Sequence, residues 1–434
     1  MSEWSKRDER EVDSGRKLCK TSRLIKILYQ VGNSHMNMRL VGGILLIVGT
    51  TIGGAMLALP IAMAELGFLY SCGLLLVCWF IMTMSAFLIL EVNLWLPKNT
   101  NIISMAKATL GPLGQIIAWI AYLLLLYSLL AAYMTGGGDF FHNLLTHLGI
   151  TISLHASAVL FTVILGSVVY AGMSIVDHVN RWLMVAKMGA YFLLLVLVIP
   201  HVSLSHLSGG QLFLLGNSVT VCLVSFGFSI LVPTLRIYFH DDKTQLRLAI
   251  LIGSAIPLIC YLLWDLAIMG VISTQGDNGL IAMLHSGRST SEFVEQLNSL
   301  LHRNEITEIA RFFTSICLAT AFLGVSLGLA DFLSDGLSLE RKGWNNLLIA
   351  LIAFLPPLLI ALFYPGAFVA ALGYAGIVCV ILVILLPALM TWSGRYHKKI
   401  AHGYQVMGGK ALLIFLMLVS VGVISYSVFP VMSK

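Results

Sequence analysis

Val48-Gly49-Thr50-Thr51-Ile52-Gly53-Gly54-Ala55-Met56-Leu57-Ala58-Leu59-Pro60 belongs to a run long and apolar enough to cross a bilayer, yet glycine and proline interrupt it. A second run repeats that combination as Ser225-Phe226-Gly227-Phe228-Ser229-Ile230-Leu231-Val232-Pro233. Unpaired peptide groups are costly in hydrocarbon, so unwound backbone at that depth survives only where protein, water or a ligand satisfies it. Paired interruptions at corresponding places in two halves point to a binding site for a small solute near the bilayer midplane.

The surrounding chain fits that setting. Of its 434 residues, 58% are hydrophobic and 11% charged, with a mean hydropathy of +0.92. A soluble domain carries about 25% charged residues, which leaves an all-α integral membrane protein. Eleven stretches qualify as transmembrane helices: 40–65, 70–95, 114–138, 154–172, 182–200, 212–235, 247–272, 310–333, 346–364, 367–391 and 410–431. With the N-terminus inside, 22 of the 26 Lys and Arg residues fall on the cytoplasmic side. That bias puts the N-terminus in the cytoplasm and, after an odd number of crossings, the C-terminus outside. The net charge of +6 is thus an orientation signal, and no nucleic-acid partner is expected. The seven cysteines have no metal-ligand spacing and read as packing residues, so no metal or cofactor is expected.

The spans divide into two sets of five, each opening with a broken helix. A short surface helix follows the second helix of each set, at Ile102 to Leu110 inside and at Ser291 to Leu301 outside. The outer one is preceded by a Ser289-x-x-Glu292 capping box. Equivalent elements on opposite sides indicate an inverted repeat. A 5+5 inverted repeat with discontinuous helices 1 and 6 is the LeuT-type fold. The expected divisions are a basic N-tail (1–39), a first repeat (40–200), a second repeat (201–391), and a cytoplasmic loop with the eleventh helix (392–434).

Pro60 and Pro233 lack an N–H and crowd the carbonyl four residues back, freeing those of Met56 and Ser229. The half-helix that starts near Ala55 offers unpaired amides and a positive dipole end, suited to a carboxylate. The half-helix that ends before Phe226 offers carbonyls, suited to an ammonium. Together they describe a receptor for a zwitterion such as a free amino acid. Ordinary kinks repaired by neighbouring helices are the bland alternative.

Gly49-Thr-Thr-Ile-Gly-Gly-Ala-Met-Leu-Ala-Leu-Pro60, Ser225-Phe-Gly-Phe228, Ile252-Gly-Ser-Ala-Ile-Pro257 and Gly324-Val-Ser-Leu-Gly-Leu-Ala-Asp331 resemble the bacterial tyrosine- and tryptophan-specific permeases. Those form the hydroxy and aromatic amino acid permease family of the amino acid–polyamine–organocation superfamily. The resemblance implies import of an aromatic amino acid across the inner membrane, coupled to proton entry. Thr50, Thr51, Ile52, Gly53, Gly54 and Ala55 would then hold the substrate carboxylate. Ser225, Phe226, Gly227, Phe228 and Ser229 would complete the site, with Phe226 as an aromatic gate. Tyr127, mid-span in helix three, is the tyrosine expected to reach the ligand, with Tyr122 and Tyr133 nearer the interfaces.

Lys187 is costly inside a membrane, which asks for a reason. It resembles the helix-five lysine of proton-coupled relatives of this fold, which stands where sodium-coupled members bind an ion between helices one and eight. Snorkelling to the inner interface is its alternative. Ser326 and Asp331 join Lys187 as proton-coupling candidates, with Thr320 nearby on helix eight. Glu91 and Asp265 read as solvated near an interface, and Glu65 and Asp139 as structural or entry-path residues at outer ends.

Gly324-x-Ser326-x-Gly328 formally matches a hydrolase elbow, but it lies inside an apolar helix where no strand-turn-helix can form. A channel would show repeated filter motifs or rings of like charge. A transporter of another neutral amino acid, or a transport-like sensor, would share every feature named above.

Overall fold

The computed structural model describes residues 38–211, 218–277, 279–286, 289–337, 339, 341–364 and 366–432, and these contain helices and connections but no strand. Almost all of the basic N-tail lies outside the described residues. The first span is two helices, α1 (Met38–Thr51) and α2 (Gly54–Ala62), bent by 53° at Ile52–Gly53. Then come α3 (Gly67–Leu94), the short α4 (Ile102–Leu110), α5 (Pro112–His147), α6 (Leu154–Tyr170) and α7 (Met173–Val198). The sixth span combines α8 (Ser218–Ser225), a 3-10 turn (Gly227–Leu231) and α9 (Val232–Tyr238). It is followed by α10 (Lys243–Val271), α11 (Leu280–Ser286), α12 (Ser289–Leu301), α13 (Asn304–Leu337) and α14 (Gly343–Phe363). The tenth span runs through α15 (Phe368–Cys379), a π-helical turn (Val380–Leu385) and α16 (Leu386–Trp392), and α17 (Gly409–Met432) closes the described chain.

Nine of these helical segments are long and apolar enough to cross a membrane, and the bent α1–α2 pair makes ten. α6 is apolar with 17 residues, about 26 Å, a little short of the hydrocarbon core. Side chains such as Leu69, Ile116, Val163, Val185, Leu351 and Leu418 face outward on different helices, giving the bundle an apolar surface. Such a surface requires lipid rather than water around it.

Burial sorts the helices into a centre and a periphery. Within their most apolar windows, 72% of the sixth span is buried, against 17% for α17. α1 and α3 pack on α10, α13 on α5 and α7, and α15 on α5 and α8. The two broken spans therefore lie inside the bundle.

Local sequence explains the smaller elements. Asn101 accepts the Ser104 amide at 2.9 Å and starts α4, while Gly111, at φ +84°, ends it and hands over to Pro112 at the head of α5. The Ser289 side chain of the expected capping box lies outside the described residues, but the first turn of α12 is held by another helix. Asp139 of α5 accepts both the amide and the hydroxyl of Ser291, each at 2.9 Å. Asp139 is thus a buried structural residue.

Proline-freed carbonyls are repaired by hydroxyls on neighbouring helices. Pro356 frees the carbonyl of Ile352, and the Tyr127 hydroxyl donates to it at 2.8 Å. Pro387 frees that of Val383, and Ser85 of α3 donates to it. The second signature stretch repairs itself. Val232 N–H donates to the Ser229 carbonyl that Pro233 frees, and the chain tightens into a 3-10 turn. Two similar openings are expected from sequence. The structure has one sharp break, at Ile52–Gly53, and one tightened turn.

Candidate functional site

The break in the first span sets a carbonyl-ended helix against an amide-ended one. α1 stops at Thr51, Gly53 is extended (φ −152°, ψ −152°), and α2 begins at Gly54 without a side-chain cap. Met56 N–H reaches back to the Gly53 carbonyl at 3.2 Å, so Gly54 and Ala55 form the first turn, whose amides lack intrahelical acceptors. The carbonyls on the other side of the break are claimed from two directions. Tyr261 of α10 donates its hydroxyl to Thr51 at 2.7 Å, and Lys187 of α7 donates its ammonium to Ile52. A cation at the negative end of α1 is well placed electrostatically.

Lys187 also reaches the Thr320 hydroxyl of α13 at 3.3 Å, and that hydroxyl donates onward to Cys317. The lysine thus stands between the first span and α13, only 1% exposed. It does not snorkel. Its ammonium is held inside the bundle, and Lys187 lies 9 residues, about 14 Å, into the apolar span that begins at His178.

The second signature stretch adjoins the first through Tyr261. The same hydroxyl lies 2.9 Å from the Ser225 carbonyl, where α8 ends, so one O–H serves both spans. Phe226 packs edge-on against the Tyr261 ring, centroids 5.1 Å apart, and is fully buried, as is Phe228. Ser225 turns its side chain back to Val221, and Ser229 reaches Met82 of α3 at 3.3 Å. Thr50 and Thr51 bond back to Leu46 and Ile47, leaving their backbone rather than their hydroxyls to act at the break. Everything from Thr51 to Ala55 is buried, so the site is enclosed in this conformation.

The tyrosine against the break is Tyr133. A Cβ added to Gly54 would meet its ring at 2.7 Å and the methyl of Ala321 at 3.5 Å. α5 continues through Gly136, Gly137 and Gly138 to His147, which puts Tyr133 deep in the bundle rather than at an interface. Tyr127 points instead to α14, as described above.

The other candidates lie apart from Lys187. Asp331 is 11 residues beyond Thr320 on α13, about 16 Å, and pairs with Arg341 at 2.7 Å. Ser326 is fully buried, and its hydroxyl has no hydrogen-bond partner among the described residues. Two carboxyls expected to be solvated are fully buried. Glu91 binds Arg395 in a two-pronged pair at 2.7 and 2.5 Å and accepts the Val406 amide at 2.6 Å. The chain folds back over the end of the bundle and shuts water out. Asp265, one turn beyond Tyr261, is fully buried on α10, which packs against α1, α3 and α7.

The profile of the tryptophan/tyrosine permease family matches residues 36–427. The chain belongs to that family. It is 35% identical over 384 residues to tyrosine-specific transport system 2 of Haemophilus influenzae, covering 88% of this chain and 94% of the relative. A tryptophan-specific transport protein from the same organism is 32% identical, with 87% and 93% covered. Glutamine transporter 2 of Aliivibrio fischeri is 31% identical, with 87% and 96% covered. The permease is therefore a membrane transport protein and not an enzyme. Its Gly324-x-Ser326-x-Gly328 sequence lies within the continuous helix α13.

Proposed function

We propose that the permease is a secondary active transporter that imports an aromatic amino acid, tyrosine or tryptophan, by proton symport with alternating access. The reading sets it in the bacterial inner membrane as an eleven-helix, LeuT-type 5+5 inverted repeat. The first repeat is 40–200 and the second 201–391, with the N-terminus cytoplasmic and the C-terminus periplasmic. One observation carries it: the break at Ile52–Gly53, where Lys187 and Tyr261 claim consecutive carbonyls opposite the amide end of α2.

In this reading the amides of Gly54 and Ala55 take the substrate carboxylate, and the carbonyl end of α8 takes its ammonium. Phe226 and Tyr133 flank the side chain, their rings suited to an aromatic guest. Lys187, protonated, braces the first span against α13, and loss of its proton loosens that brace. The tyrosine- and tryptophan-specific relatives support an aromatic substrate. The glutamine transporter among them supports a second reading, another neutral amino acid.

The test is uptake of labelled tyrosine and tryptophan into proteoliposomes under an imposed proton or sodium gradient, with unlabelled glutamine as competitor. The proton gradient should drive accumulation, Phe226→Ala should weaken it, and Lys187→Ala should uncouple it. Sodium-driven accumulation, or proton-driven accumulation untouched by Lys187→Ala, refutes the coupling scheme. Strong competition by glutamine favours the broader substrate.

A further inference from the structure

Asp265 is an acid inside the bundle with no donor. It is fully buried, and neither carboxylate oxygen has a hydrogen-bond partner among the described residues. The titratable groups facing it do not answer it. Cys72 of α3 is a half-buried thiol, Cys222 of α8 is engaged with Cys78 of α3, and the Tyr191 hydroxyl of α7 is committed to the Cys260 carbonyl at 2.8 Å. Lys187, one turn from Tyr191 on α7, spends its ammonium on Ile52 and Thr320, and Tyr261 spends its hydroxyl on the two broken spans. α1 and α2 also pack on α10, but Arg39 at the far end of α1 is their lone titratable side chain. Above α10, His201 bonds Leu197 and His206 bonds the Gly270 carbonyl.

An ionised carboxylate without a donor is disfavoured in such a place, because nothing replaces the water it gave up. The enclosed conformation therefore accommodates Asp265 only as the neutral acid. Its location gives that condition a use. It lies one turn from Tyr261, whose hydroxyl links the two interrupted spans, and six residues, about 9 Å, from the end of α10 at Val271.

We propose that Asp265 is the residue that carries the symported proton, loading it from the outer side and permitting closure only when loaded. This rests on the transport reading and on the orientation given above. In the step, a proton from outer water bonds to a carboxylate oxygen of Asp265, and the outer half closes over the neutral acid and the substrate. When the inner half opens, that O–H bond breaks, the proton passes to inner water, and the carboxylate is restored. Asp265 then replaces Lys187 as the group that gains and loses the transported proton, and Lys187 keeps only its brace across the break.

The experiment uses the full-length protein in proteoliposomes and compares two activities of Asp265→Asn. Counterflow of labelled tyrosine against unlabelled tyrosine requires the substrate to cross without net proton movement. Accumulation requires the proton. The amide cannot release a proton and resembles the neutral acid in shape, so counterflow should continue while proton-driven accumulation falls to the equilibrium level. Accumulation equal to that of the parent overturns the proposal, and so does joint loss of counterflow and accumulation, which would indicate a structural role. An apolar carbodiimide, which adds to neutral buried carboxyls, supplies a check on the unmutated protein. Peptide mass analysis should find the adduct on Asp265, decreasing as the external pH rises, and no adduct there overturns the proposal. Failure of the parent itself to perform counterflow of tyrosine or tryptophan would instead count against the transport reading.

Discussion

Tyr261→Phe removes one oxygen and tests whether the two interrupted spans are tied together. The phenylalanine ring keeps its edge-on contact with Phe226, so packing is conserved and the perturbation is confined to the hydrogen bonds. Two buried carbonyls, Thr51 and Ser225, lose their shared donor. Leaving a buried acceptor unsatisfied costs about 1–3 kcal/mol. Because one proton serves both, the two losses do not add, and the enclosed conformation should be destabilised by about that amount. Where opening exposes the same carbonyls to water, the open state is spared that cost. The ratio of open to enclosed molecules then rises by roughly 5- to 150-fold. Amide hydrogen exchange in a peptide spanning the break reads this directly in detergent or nanodiscs. Exchange around Ile52 to Ala55 should accelerate by a factor in that range, and substrate uptake should fall as the enclosed step becomes less populated. Exchange and uptake both equal to the parent's would refute the argument that the hydroxyl holds the spans together.

Breaking the Glu91–Arg395 pair should be severe, because its side chains are 0% and 6% exposed. Glu91→Leu alone should cost about 3–5 kcal/mol, and Glu91→Leu with Arg395→Leu should recover much of it, measured by thermal unfolding of purified protein. Gly54→Ala places a methyl against the Tyr133 ring and should cost about 1–3 kcal/mol through overpacking, with reduced uptake; unchanged uptake would show that the contact is slack. Tyr127→Phe should lower stability by about 1–3 kcal/mol by orphaning the Ile352 carbonyl, while the KM for substrate stays at the parent value. A raised KM with unaltered stability would return Tyr127 to the substrate.

The legible parts of this molecule were those written in local chemistry. Gly53 and Gly54 mark the place where the first span cannot run straight, and the bend lies there, whereas Pro60 sits inside α2. Asn101 and Gly111 bracket α4 as capping rules require. Depth was harder to read. Lys187 looked able to snorkel because it lies only a few residues past Arg181, whereas its ammonium turns inward to Ile52 and Thr320. Tyr133 looked near an end because the third span reads as ending at residue 138, whereas α5 continues to His147 and its glycines let Phe368, Phe161 and Ala158 approach. Tyr261 carried no signal. A tyrosine in an apolar span looks the same whether it faces lipid or bridges two carbonyls, and only the crossing of α10 over both breaks distinguishes them. Glu91 and Asp265 were misplaced for the opposite reason: acids near span ends are normally wet, and here Arg395 and the segment at Val406 cover Glu91 while neighbouring helices cover Asp265.

Tyr127 and Ile352 act as a peg and socket between α5 and α14. A hydroxyl seated on a carbonyl that proline has freed favours one axial register of the two helices, because sliding by even one residue would unseat it. Rotation about the peg disturbs it far less. Sliding of α5 along α14 therefore costs about 1 kcal/mol or more at this one contact, a cost that rotation about it avoids.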